Sequence, residues 1–316
     1  MELRLDPTLV VLTACDLILQ PYFLFLVIRK SSPGMRIYRF LLGITSICNL
    51  LFSAAFFLAS PQISLSENQV YILGSMLPPA YVFVFWHLAT FLVTTQMQIS
   101  LLMLIYASYE ITHPMGGLNL RSKWLCLAVP AFILIPSAAF VGLSYLASVD
   151  FRRYNFSIQT LSGLGLLGFN CVYSMCYSSI ASVAILKIRG VSTKSNIQIS
   201  AATVKLVNNV MKNFIISFGI VFFLLVTPVL SAVILRILGF PDISALMFNI
   251  AVKSMASYVS VSTVASIFIF APYRKFTLKM VRRVAMARNA QSSVVSGSFV
   301  VTTVKTPTAG INGTRQ

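Results

Sequence analysis

Acid is what this chain has least of. Only seven of its 316 residues are Asp or Glu, and charged residues of both signs make up 10%. A soluble domain carries about 25%. So few charges cannot coat a water-soluble globule of this length, whereas a 57% hydrophobic composition and a mean hydropathy of +0.85 suit lipid. Histidine is equally scarce: His87 and His113 stand far apart, so no metal site is expected. With no paired carboxylates, histidine cluster or nucleophile–base motif, no enzyme and no cofactor is expected either. The five cysteines, Cys15, Cys48, Cys126, Cys171 and Cys176, all fall inside apolar runs. That placement gives no disulfide framework and reads as small packing residues. A net charge of +17 would suit nucleic acid if it were gathered on a soluble face. Here the basic residues lie in short stretches between apolar runs, which excludes that partner. The first residues hold Glu2 and Asp6 rather than a basic cluster and lead into a run long enough to span, so no cleavable signal peptide is expected.

What the chain does have is long apolar runs. About 20 apolar residues cross the hydrocarbon core as a helix. Seven such runs occur, over 8–28, 38–60, 78–106, 124–147, 161–186, 213–236 and 245–270. Lipid offers the backbone no hydrogen-bond partner, so each run should be helical. The expected fold is an all-α membrane protein, a seven-transmembrane helix bundle.

The basic residues set its direction. Alternate connections and the C-terminal stretch hold 19 of the 24 lysines and arginines, among them Arg36, Arg39, Lys205, Lys212, Arg274 and Lys275. The positive-inside rule makes that side cytosolic, which puts the N-terminus outside and the C-terminus in the cytosol. Six of the seven acids lie at or towards the outer side, and only Glu110 is cytosolic. Asn155-Phe156-Ser157 is a glycosylation sequon on the outer side.

Three segments follow: residues 1–270 as the membrane domain, 271–290 as a short amphipathic helix on the membrane surface, and 291–316 as a disordered cytosolic tail. In the second, Phe276, Met280 and Val284 share a face, with Lys275, Lys279, Arg282 and Arg283 as its basic part. Such a helix lies along a leaflet of anionic lipid. The tail is rich in Ser and Thr, without periodicity, and open to phosphorylation.

Polar residues within spans are costly and so informative. His87, Thr90, Thr94 and Gln98 fall on one face of the third run. Lys253, Ser257 and Ser260 share a face of the seventh. With Trp86 and Tyr258 these are candidates to line a ligand cavity open to the outside; interhelical bonding alone is the alternative. Asp16 and Lys253 are the two charges well inside spans, at similar depth by count, and an Asp16–Lys253 ion pair is expected. Lys253 lies too near the outer end for a retinal lysine. Pro228 should bend the sixth helix and provide a pivot. Glu110 and Lys212 are expected to pair across the inner ends of the third and sixth helices and hold a resting state.

Three patches carry a family resemblance. They are Ser32-Pro33-Gly34-Met35-Arg36-Ile37-Tyr38 between the first two runs, the end of the third run through Tyr109, and Pro272-Tyr273-Arg274-Lys275-Phe276 after the seventh. In these the chain resembles the nematode serpentine chemoreceptors of the str-type superfamily, nearest class d or class h. The resemblance in layout covers residues 1–290. It implies a G-protein-coupled receptor for an extracellular small molecule, in the plasma membrane of a sensory neuron cilium. The implied partners are a heterotrimeric G protein, membrane lipids and an arrestin-like binder of the tail. The expected switch and G-protein face is Tyr109, Glu110, Lys205, Lys212, Pro228, Pro272, Tyr273, Arg274 and Lys275. Two features depart from the pattern. Tyr109-Glu110-Ile111-Thr112 lacks the arginine many relatives have there, and Glu67 to Pro79 lacks the cysteine of rhodopsin-like receptors. A ligand-gated channel or small-molecule transporter is the alternative function. Against it stand the absence of an internal repeat and of a chain of intramembrane carboxylates.

Overall fold

The structure is a computed structural model and describes residues 7–31, 33–66, 69–74, 77–113, 123–150, 155–157, 161–192 and 200–297. Glu2, Asp6, Ser32, Glu67, Arg121, Arg152, Arg153, Lys194 and the sequence from residue 298 onward lie outside the described residues.

Each expected run is helical. The helices are α1 (Pro7–Lys30), α2 (Arg36–Ala59), α3 (Pro79–Thr112), α4 (Lys123–Ala147) and α5 (Leu161–Ser192). The sixth span is α6 (Ala201–Val221), a π-helical stretch (Phe222–Val226) and α7 (Thr227–Ile237). Then come α8 (Pro241–Ile269) and α9 (Ala271–Gly297). Among the described residues seven spans are long and apolar enough to cross a membrane, which makes this a multi-pass membrane protein. The sixth differs most from its apolar run, because its helix begins at Ala201 rather than near 213. Ser200 caps that start: its hydroxyl accepts the Thr203 backbone N–H at 3.1 Å. Gly239, at φ 83°, turns the chain between α7 and α8 where a side chain would be strained.

The chain divides into two units, Met1–Arg274 and Lys275–Gln316. In the first, α3 is central and packs against α2, α4, α5 and α6; α8 packs against α1, α6 and α7. A core of Leu9, Phe52, Phe56, Leu92, Tyr258 and Val259 joins α1, α2, α3 and α8. Ala55, Ala89 and Ala256 belong to the same core, and residues this small let helix backbones approach closely. All five cysteines are free. In the second unit the helix continues to Gly297, with Met280, Val281 and Val284 exposed beside exposed Lys279, Arg282 and Arg283.

The α2–α3 and α4–α5 connections hold a sheet that the apolar pattern does not reveal. Strands β1 (Pro61–Ser66), β2 (Gln69–Gly74), β3 (Ser148–Asp150) and β4 (Asn155–Ser157) form it in the order β1-β2-β4-β3, all antiparallel. Val70 pairs with Phe156 and Tyr71 with Asn155. Backbone hydrogen bonds thus tie the α2–α3 connection to the α4–α5 connection. The sequon Asn155-Phe156-Ser157 is strand β4 itself.

Candidate functional site

The seven helices place polar side chains in a column of hydrogen bonds through the bundle. On the side of the bundle nearer the sheet the carboxylate of Asp16, 1% exposed, sits between α2 and α8. One oxygen accepts the Ser53 hydroxyl at 2.6 Å and the other accepts the hydroxyl of Ser260. One turn further in, Gln20 Nε2 donates to Thr263 at 2.8 Å, and the Ser46 hydroxyl meets Gln20 Oε1 at 3.1 Å. Both layers join the same three helices, α1, α2 and α8. Deeper along α8, Ser266 donates to Asn213 Oδ1 of α6 at 2.8 Å. Every one of these polar groups has its partner inside the protein, as burial in lipid demands.

This column corrects the expected Asp16–Lys253 pair. Asp16 spends its two oxygens on Ser53 and Ser260, and Lys253 is exposed two turns away along α8, about 10 Å at 1.5 Å per residue. Counting depth from the start of an apolar run misplaced the lysine. The axial offset of α8 against α1 sets Ser260, two turns further along, at the level of Asp16.

At the end of the bundle away from the sheet the α1–α2 connection is the meeting point. Tyr38, 1% exposed at the start of α2, donates its hydroxyl to Glu110 of α3 at 2.9 Å. Its ring meets Tyr106 edge-on, with centroids 5.3 Å apart. On the other side of the connection the Ser31 hydroxyl lies 2.6 Å from the Val27 carbonyl and 2.7 Å from the Tyr273 hydroxyl. Tyr273 is fully buried against Phe23 and Phe270. Arg274 points outward and caps the Phe268 carbonyl at 3.3 Å, and Lys275 is exposed.

The expected Glu110–Lys212 pair is therefore also corrected. Glu110 bonds Tyr38, and Lys212 is exposed on α6. A phenol hydroxyl supplies a donor without a second charge to desolvate, whereas a lysine keeps its ammonium in water. Lys205 is exposed as well, and Tyr109 stacks on His113 at 4.7 Å.

Burial pushes the Tyr273 phenol above its ordinary value of 10.0, against the opposing effects of the Ser31 bond and the Arg39 charge. The folded state holds this proton more tightly than the unfolded chain. Its contribution to stability is whole below pH 10.0 and is lost as pH rises through the raised folded value. In thermal melts of the detergent-solubilised protein, Tyr273→Phe is expected to lower stability by about 1 kcal/mol at neutral pH. The gap to the natural protein should close at alkaline pH. A gap that widened there would mean that the phenol is not held neutral.

The candidate ligand residues divide between two faces of α3. Trp86 packs on Phe56, with centroids 6.5 Å apart, and belongs with Tyr258 to the α2–α3–α8 core. His87 turns its ring onto Phe83 at 4.1 Å, with Nδ1 at 2.8 Å from the Phe83 carbonyl; Phe83 in turn meets Tyr145 of α4. Thr90, Thr94 and Ser257 bond to carbonyls of their own helices. Gln98 alone reaches α5, donating to Tyr173 at 2.8 Å, while its Oε1 is buried without a partner.

Gln98 leads to a feature that polar residues did not signal. A run of rings, Phe140, Phe169, Tyr173, Tyr177, Phe214 and Phe218, joins α4, α5 and α6 at centroid spacings of 5.9 to 6.3 Å. Its sequence trace is aromatic spacing of four, at Phe169/Tyr173/Tyr177 and Phe214/Phe218. Just beyond this run, the π-helical turn Phe222–Val226 ends at Thr227 and Pro228, where the Thr227 hydroxyl and N–H both reach the Phe222 carbonyl. Proline cannot donate to the ladder, and the widened turn takes up that loss.

The stretch that holds the α5 and α6 rings of this run, the π turn and the Tyr273 anchor also carries the comparison with known proteins. Residues 147–283 match the family of the serpentine type 7TM GPCR chemoreceptor Srh. The match runs from the end of α4 into α9 and so includes the last three spans. The resemblance to the nematode str-type superfamily thus holds, and class h fits it. No curated protein matches the chain. The Pro272-Tyr273-Arg274 patch lies within the stretch that matches Srh. The Ser31–Tyr38 stretch lies outside it in sequence but touches it in space, through the Ser31–Tyr273 bond.

Proposed function

We propose that the chain is a G-protein-coupled chemosensory receptor for an extracellular small molecule, with its N-terminus outside and its C-terminus in the cytosol. The observation that carries this is the match of the last three spans to a chemoreceptor family in a chain with seven apolar helices. The basic inner connections support the direction and a plasma-membrane location, and the family resemblance supports a sensory cilium.

Ligand acts at the outer half of the bundle, on the Trp86–Tyr258 side of α3 or on the side of His87 and Gln98, with Thr90, Thr94, Lys253 and Ser257 nearby. The ring run carries the change to α6. The π turn and Pro228 let the inner part of the sixth span swing, and the G protein enters beside Tyr109, Glu110, Lys205, Lys212 and the turn of Pro272, Tyr273, Arg274 and Lys275. Helix α9 lies on anionic lipid, the tail takes an arrestin-like binder once phosphorylated, and Asn155 faces the glycosylating side.

The test is a G-protein activation sensor in cells expressing the chain, challenged with a small-molecule library, with ionic current recorded from the same cells. A sensor response without current is expected. Current that survives G-protein blockade would make the chain a ligand-gated channel instead. Pro228→Ala is expected to lower the maximal sensor response at unchanged surface expression; an unaltered maximum would remove the pivot from the mechanism.

A further inference from the structure

A cleft of about 1240 Å³ opens at the inner half of the bundle, between α1, α2, α3 and α4. It is larger than the roughly 300–1,000 Å³ of an ordinary small-molecule site. Its length is aliphatic, with Leu24, Ile28, Ile44, Ile47 and Leu102 among its walls. Ile28 and Ile47 are 56% and 50% exposed, so the cleft opens sideways towards the hydrocarbon rather than into the bundle. One end is different. Arg36 and Arg39 line it there, three residues apart on the first turn of α2, together with Tyr106 and Tyr109.

Both arginines are exposed. Among the described residues the one acid at this end of the bundle, Glu110, is engaged by Tyr38. Two guanidiniums without a carboxylate, placed where a leaflet's headgroups lie and continuous with an aliphatic trough, complement a phosphate above an acyl chain. Guanidinium binds phosphate bidentately, so two of them hold a headgroup in one place rather than merely attracting it.

We infer that this cleft is a binding site for one anionic phospholipid of the adjoining leaflet. Its headgroup sits on Arg36 and Arg39, and an acyl chain lies along Ile44, Ile47 and Leu102. In the proposed orientation that leaflet is the cytosolic one. The site does not depend on the receptor reading and differs from the basic face of α9. Tyr38 lines the same cleft, so the bound lipid adjoins the Tyr38–Glu110 bond.

The experiment is native mass spectrometry of the purified full chain in detergent, titrated with phosphatidylserine or phosphatidylcholine of identical acyl chains. One phosphatidylserine should bind in preference. Arg36→Ala with Arg39→Ala should weaken it roughly 10- to 30-fold and weaken phosphatidylcholine less, because the choline cation offsets the phosphate that both headgroups share. Lys279→Ala with Arg282→Ala and Arg283→Ala should leave that tightest lipid bound. Equal phosphatidylserine binding by the arginine variant, or its loss in the α9 variant alone, would overturn the site. Phosphatidylserine carrying a photoreactive acyl chain tests the natural sequence without any variant. Adducts on α2 and α3 near Ile44, Ile47 and Leu102 are expected, and adducts confined to other helices would overturn it.

Discussion

Replacing Tyr38 with phenylalanine should raise ligand-independent signalling. The variant keeps the ring and its edge contact with Tyr106 but removes the hydroxyl that Glu110 accepts at 2.9 Å. A hydrogen bond to a charged group contributes about 1.5–3 kcal/mol. If that bond exists only in the resting state, its loss multiplies the active fraction by roughly 10- to 100-fold while that fraction is still small. Glu110→Ala should do the same, and the double variant should add little, because both remove one interaction. Glu110→Gln should do less, since the amide oxygen still accepts. Lys212→Ala should be neutral. Basal output of a G-protein sensor, normalised to surface expression, is the measurement. A silent Tyr38→Phe with an active Lys212→Ala would return the latch to α3 and α6.

The second large effect concerns Asp16 and has an unusual direction. Removing the two donors should be worse than removing the acid they serve. Ser53→Ala with Ser260→Ala leaves a carboxylate buried among α1, α2 and α8 with neither hydroxyl, and an uncompensated buried charge costs about 3–5 kcal/mol. Asp16→Leu removes the charge as well, and each serine can turn back to a carbonyl of its own helix. Replacing a buried ionic group by an apolar one of similar size is often neutral or nearly so. Thermal stability in detergent and surface expression should therefore rank the natural protein and Asp16→Leu above the double serine variant. The exchange Asp16→Lys with Lys253→Asp should fail to recover either single variant, because Ser260 rather than Lys253 faces the acid. Equal losses for Asp16→Leu and the serine pair would place the stabilising effect in the carboxylate itself.

Three patches that are separate in sequence converge on one short connection. Tyr38 reaches the end of α3, and Ser31 reaches the Pro272-Tyr273-Arg274 turn. The missing arginine after Tyr109 is easier to understand in this setting. Glu110, which stands in its place, finds its donor on α2, so the inner end of α3 is held by a tyrosine instead of by an ion pair. The missing outer cysteine has a parallel answer in the β2–β4 pairing, which joins the connections by backbone hydrogen bonds.

The number of spans, their helical state and their approximate limits were legible in the sequence. Each follows from a local property, about 20 apolar residues in succession, that needs no knowledge of neighbours. The interruption near Pro228 was legible for the same reason. Partners were not. Asp16 and Glu110 were expected to pair with Lys253 and Lys212, and each meets hydroxyls instead. Which group meets which depends on the rotation, tilt and axial offset of each helix, and packing of the whole bundle fixes these. One to two turns of offset brought Ser260 rather than Lys253 to Asp16. The short strands escaped because β2 and β4 are few residues long and find each other across some 80 residues of chain. Lipid compels every apolar run to become a helix on its own; only the assembled bundle decides which polar side chains face each other.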